Sequence, residues 1–190
     1  MKTRTKALLL TVCAVLLVAA TVFTTVAYLK STDAVTNTFT VGKVAITLDE
    51  AKVNEYGTAV TPATRVKGNT YKLIPGHSYT KDPTVHFAAG SEASYLFVKV
   101  ENGLSAIEAG TTIEAQILAN AWTKLEDETG VYYKQVAASA TAVDYKVFDS
   151  FKIDENADVS DYGTAKITVT AYAIQADGFD TAADAWAKAE

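Results

Sequence analysis

Cysteine is almost missing: the one thiol among 190 residues, Cys13, lies inside an apolar N-terminal run. Lipid attachment at a cysteine wants a small residue just before it, and Val12, with a long apolar stretch still to come, does not provide one. The rest of the chain therefore has neither disulfide nor thiol chemistry, so a domain built from it must hold together by its core. Histidine is scarce too. With only His77 and His86, and no cysteine beyond the leader, no Ser-His-Asp or Cys-His nucleophile suggests itself. No His-Glu-x-x-His helix is present, and two imidazoles beside Asp82 lack the clear third ligand that a catalytic zinc takes, so turn or solvent roles are expected for both. The glycines are scattered, without a phosphate-cradling loop. Asp154, Glu155, Asp158 and Asp161 lack the alternate spacing and closing glutamate of a calcium loop and read as a solvated acidic turn. No metal and no cofactor is expected.

Charge is also missing between Lys6 and Lys30. Lys2, Arg4 and Lys6 followed by a Leu-, Val- and Ala-rich run form the basic and apolar parts of an export signal. The run is long enough to span a bilayer, so a retained anchor competes with a cleaved leader. Thr25 and Ala27 put small residues where a signal peptidase reads them, just before Tyr28, and cleavage there is the expectation. That makes residues 1–27 a signal peptide and residues 28–190 a single domain, with a membrane association only through the uncleaved leader. The chain carries a net charge of −5, which becomes −8 once the three leader cations are set aside. Nucleic acid is an unsuitable partner for such a surface.

What is present is mostly strand pattern. Val35, Phe39 and Val41 occupy odd positions while Val44, Ile46 and Leu48 occupy even ones, with Gly42 between the two sets. A one-residue slip at a glycine is what a bulge or kink produces, so two strands, or one strand broken at Gly42, are predicted. Pro75-Gly76 marks a turn, and Val85 and Phe87 then alternate with polar residues. The run from Tyr95 to Val100 is apolar at nearly every position, as in a central strand covered on both faces. Val131 to Val136 and Tyr145 to Ile153 continue the strand pattern. Ile167, Val169, Ala171 and Ala173 alternate with Lys166, Thr168, Thr170 and Tyr172. Between Ser105 and Lys124 the spacing changes: Ile113, Ile117, Leu118, Ala121 and Trp122 recur at three and four, after Thr111-Thr112 as possible caps, predicting an amphipathic helix of a few turns. Thr181 onward reads as a short C-terminal helix. Trp122 and Trp186 read as core and rim aromatics. The fold class expected is mainly β, an antiparallel jelly roll or β-sandwich with one inserted amphipathic helix and the short terminal one.

Three blocks carry a resemblance. AYLKSTDAVTNTFTVGKVAITLDE, with a Thr-x-Ala junction followed by an aromatic residue and then Asn37, Phe39 and Gly42 in Asn-x-Phe-x-x-Gly, resembles the start of TasA-like and camelysin-like secreted proteins. LIPGHSYTKDPTVHFAAGSEASYLFVKVEN is similar to that family's Pro-Gly turn and following strands, and TVTAYAIQADGFDTAADAWAKAE to the ending of its anaerobic Gram-positive members. The resemblance implies a leader cut by a SipW-type signal peptidase, a jelly-roll domain at the cell surface, and members that polymerise into biofilm-matrix fibres by passing an N-terminal strand to the next subunit. It also brings a metalloprotease naming for camelysin-like members, for which these residues offer no chemistry.

The stretch 28–41 has two pairings open to it: an ordinary first strand within its own subunit, or a donor strand with Val35, Asn37, Phe39 and Val41 entering a neighbour's sheet. The leading expectation is a structural protein that forms or decorates extracellular fibres, self-associating into filaments and accompanied by a second matrix or anchoring protein. A monomeric surface or accessory protein of the same fold comes second, and a camelysin-like protease third.

Overall fold

Strands form here where β-branched and aromatic side chains alternate or run together, and each stops at a turn residue. The computed structural model describes residues 3–28 and 42–189, in two units, residues 1–40 and 41–190. In the first unit the charge-free run forms one helix, α1 (Thr3–Tyr28). Leu8, Leu10, Leu16 and Leu17 are exposed on it, as is Cys13. Among the described residues no helix is long and apolar enough to cross a membrane. Thr25, Ala27 and Tyr28 fall in the last turns of α1, whereas Val35, Asn37, Phe39 and Val41 lie outside the described residues.

The second unit is mainly β, with every strand pairing antiparallel. One sheet contains β1 (Ile46–Ala51), β2 (Arg65–Val66), β4 (Thr84–Phe87) and β8 (Val143–Lys146) in the order β2-β1-β4-β8. The other contains β5 (Ser94–Asn102), β6 (Thr123–Lys124), β7 (Val131–Val136) and β10 (Ile167–Gln175) in the order β10-β5-β7-β6. A two-stranded piece pairs β3 (Ser78–Thr80) with β9 (Ser150–Lys152). Val85 and Phe87 from one sheet and Leu96, Val98, Tyr132 and Val136 from the other share one buried core.

The central-strand reading of residues 95–100 holds. β5 lies between β10 and β7, and its two faces feed two cores: Leu96 and Val98 point to the shared one, Tyr95 and Phe97 to a second beneath α3 (Ala182–Trp186). Trp186 fills that second core, 5.2 Å from Phe97 and from Tyr172 between ring centroids. Thr181 caps α3 by accepting from the Asp184 amide. Tyr172, assigned to the polar phase of its strand by alternation alone, is thus an apolar contact on the second face.

The inserted helix is shorter than the spacing predicts. α2 covers only Ile113–Ala119, with Thr112 as its cap, and residues 105–107 make a separate single turn. It stops because Ala121 takes a left-handed φ of 58°, which no helix continues through. Trp122 leaves the helix and turns into the core, where it is 2 % exposed. Leu118, which the spacing placed on the apolar face, is exposed. The predicted run from Tyr145 to Ile153 is likewise interrupted: Val147 and Phe148 are buried between β8 and β9.

Candidate functional site

A two-sheet core has two open sides, and the described residues put a lid on one of them. On the β8 side, α2 and the turn after it act as a lid. Trp122 donates from Nε1 to the Lys146 carbonyl at 2.9 Å, Asn120 donates from Nδ2 to the Val147 carbonyl at 3.1 Å, and Gln116 bonds the backbone of Asp149 and Ser150. Lys134 of β7 reaches across to the Asn120 carbonyl at 2.9 Å, its ammonium above the rings of Trp122 and Tyr145. Burial lowers the Lys134 pKa.

The β1–β10 side has no such lid among the described residues. β10 pairs with β5 along all nine residues, and no described strand lies on its other edge. β1 is covered on its outer edge by β2 only at Glu50 and Ala51. Beyond that, Lys67 donates from Nζ to the Leu48 carbonyl at 2.5 Å, a side chain standing where a strand's amide would. The burial pattern follows the edges. Core-facing Leu96, Val98, Val85 and Phe87 are fully buried, while Ile167, Val169, Ala171 and Ala173 of β10, Ile46 and Leu48 of β1 and Val44 just before it face the same core only half-buried. The even-numbered phase read from the sequence, Val44, Ile46 and Leu48, is therefore the core-facing one.

At one end the seam widens into a cleft of about 660 Å³, with residues 67–71 on one wall, residues 162–169 on the other, and Leu104 and Phe151 deeper in. Its first wall is a loop with no ladder of its own, held by aromatic packing. The Tyr79 ring stacks on Phe151 at 4.8 Å, and Tyr71 meets both rings edge-on. Burial pushes the Tyr71 and Tyr79 hydroxyls up from their ordinary pKa, so both stay protonated donors. At the far end of the seam stands Gly42, the one described member of the strand-exchange set. A Cβ there would meet the Glu92 side chain at 3.0 Å and the Gln175 carboxamide at 3.5 Å.

The histidines are engaged elsewhere. Both ring nitrogens of His86 meet carboxylate oxygens, Nδ1 that of Asp144 at 2.6 Å and Nε2 that of Asp49 at 2.8 Å, and His77 meets the Tyr56 carbonyl through Nε2 at 2.9 Å. Asp49 and Asp82 are also held by Arg65. Among the described residues no three His, Cys, Asp or Glu side chains stand where they could share a metal ion. In the acidic turn, Asp154 and Asp158 accept from the amides of Asn156 and Ser160, ordinary local turn bonds.

Sequence reasoning read the alternation of Ile46 and Leu48, and of Ile167 to Ala173, as strand, as the structure has it. It missed residues 67–71 and the two-residue strand β2, because a loop wall has no periodicity and its neighbours are distant in sequence. Compared with known proteins, the chain matches no family model, no curated protein and no solved structure.

Proposed function

We propose that the β1–β10 seam accepts an extended strand, residues 28–41 of another copy, and that the protein is an exported structural subunit of extracellular matrix fibres. The observation that carries this reading is the contrast between the two sides of one core: lidded at Trp122 on one, and on the other half-buried along β10, whose outer edge has no partner strand among the described residues. A strand laid there would complete an antiparallel jelly roll.

Lengths and energies agree with this. The nine residues of β10 extend about 30 Å and fourteen residues of incoming strand about 46 Å, so the edge could be spanned with chain left to reach a neighbour. Each main-chain hydrogen bond gains only about 1 kcal/mol net, so a durable joint needs several together with burial of Val35, Phe39 and Val41 against the half-exposed faces. Head-to-tail joints do not close unless their rotation makes a ring, and so build filaments. Release of residues 28–41 falls to a SipW-type signal peptidase cutting after Ala27, and a second matrix or anchoring protein would start or tether the filament.

The test is a chain starting at Gly42, compared with one starting at Tyr28 by electron microscopy and analytical ultracentrifugation. The longer chain is expected to form filaments. The shorter is expected to fold, stay monomeric and bind free 28–41 peptide, which in excess also halts growth of the longer one. A longer chain that stays monomeric at every pH and salt tried, with a shorter one that unfolds, assigns the segment to its own sheet and favours the monomeric surface protein.

A further inference from the structure

Beside the cleft is a set of three side chains that assembly does not use. Glu50, in β1, is 4 % exposed and Lys81, between β3 and β4, is 8 % exposed. The Lys81 Nζ lies 2.5 Å from Glu50 Oε2, and the Asn69 amide donates from Nδ2 to Glu50 Oε1 at 2.9 Å. Asn69 is held on three sides. Its Nδ2 also donates to the Ala51 carbonyl at 2.8 Å, and its Oδ1 accepts from the Val53 amide at 3.0 Å. Lys81 is fixed by its own amide, which donates to the Asp149 carbonyl at 3.0 Å. One buried carboxylate thus bridges an amine and a carboxamide whose oxygen already has a backbone donor.

We propose that Lys81 and Asn69 form an intramolecular isopeptide bond, with Glu50 as the proton carrier. The chemistry balances without any further reactant. The Lys81 ammonium gives one proton to the Glu50 carboxylate, which removes two charges from a site poorly reached by water. The freed amine attacks Asn69 Cγ, forming the new C–N bond, and the charge developing on Oδ1 falls on the Val53 amide, an oxyanion donor already in place. The Cγ–Nδ2 bond breaks while a second proton passes from the attacking nitrogen by way of Glu50 to Nδ2. Ammonia leaves through the cleft that Asn69 and Lys81 both line. The product is a secondary amide between the two side chains, and Glu50 remains as a neutral acid against it. No nucleophile from another residue is needed, because holding the partners on one carboxylate supplies the proximity.

Intact-mass measurement of the purified full chain tests this. The folded protein is expected to be lighter than its sequence by one ammonia. Trypsin should leave peptide 68–72 joined to peptide 73–99, with no cleavage after Lys81. Glu50→Gln, which keeps the shape of the side chain but cannot carry the proton, should restore the full mass, and Lys81→Arg should do the same. Full mass in the wild-type protein after prolonged incubation, with peptides 68–72 and 73–81 released separately, overturns the bond and leaves a buried ion pair. Ammonia loss traced by the digest to another asparagine overturns it equally.

Discussion

Tyr71 and Tyr79 each hold the other's stretch of chain. The Tyr79 hydroxyl donates to the Lys72 carbonyl at 2.6 Å and accepts from the Ile74 amide at 2.8 Å, while the Tyr71 hydroxyl donates to the Thr80 carbonyl at 3.0 Å. Their rings meet edge-on, 5.6 Å apart. The loop wall of the cleft is therefore tied to β3 by three polar bonds around an aromatic pair.

Tyr79→Phe keeps the ring and deletes two of those bonds, leaving a backbone carbonyl and amide without their partner. The expected loss is about 1 to 3 kcal/mol of folding stability, read from denaturant melts at neutral pH. Tyr71→Phe deletes one bond at a more exposed oxygen and should cost less. If the two substitutions cost the same, the wall is not organised by the Tyr79 hydroxyl.

His86 gives the stability a pH dependence with two flanks. Its pKa is raised above the ordinary 6.5, first by the hydrogen bond with Asp49 and then by that with Asp144, against a smaller effect of burial. The group binds its proton more tightly folded than unfolded, so its contribution is complete below the ordinary value and is lost as pH rises through the raised one. Asp49 runs the other way. Burial works to raise its pKa, but hydrogen bonds from Arg65 and His86 outweigh it and the net shift is downward. Its contribution is present above the ordinary 3.8 and is lost as pH falls through the lowered value. Melting temperatures across a pH series should hold steady between the carboxylate range and about pH 6.5 and decline as pH rises above it. His86→Gln should flatten that decline relative to the parent, and an unchanged slope would remove His86 as its source.

The leader makes a separate prediction. If residues 1–27 are a cleaved signal peptide, as proposed, secreted material should begin Tyr-Leu-Lys, and Ala27→Leu should leave uncut precursor in the cell pellet, because the peptidase reads small residues just before the cut. N-terminal sequencing of the medium and the pellet checks both. Secreted protein that starts well beyond Lys30 would place the cut elsewhere.

The sequence made some of this legible and not the rest, for physical reasons. Alternation over Val85 and Phe87, the continuous apolar run of β5, the capping Thr112 and the terminal helix at Thr181 are local signals, and each appears where the pattern put it. Trp122 fits a helical spacing from Ile113 but sits beyond a residue with positive φ, and the burial of one large ring overrides local periodicity there. The seam was not legible because it depends on which strands end up at sheet edges. β10 and β1 lie side by side only after the 115 residues between Ala51 and Ile167 have been laid down, a matter of topology and not of pattern. Glu50, Lys81 and Asn69 are similarly distributed: nothing local marks three polar residues on separate segments as sharing one buried carboxylate.

The acceptor edge proposed for β10 can be tested by closing it without unfolding the protein. Ala171, in the middle of β10, faces the core half-buried beside the edge on which no described strand lies. A lysine there could extend its charged end into the open seam while its stem covers apolar surface, so Ala171→Lys should cost the isolated subunit only about 1 kcal/mol. Once a strand is laid over the edge the ammonium would be buried without a partner, a penalty of several kcal/mol that matches or exceeds the gain from the strand's own hydrogen bonds. The variant is expected to melt close to wild type, to bind free 28–41 peptide far more weakly in a fluorescence titration, and to remain unassembled. It should still donate its own N-terminal segment, and so cap the ends of growing wild-type filaments when mixed in. If Ala171→Lys assembles as fast as the parent, β10 is not the receiving edge and the joint must be sought on another face.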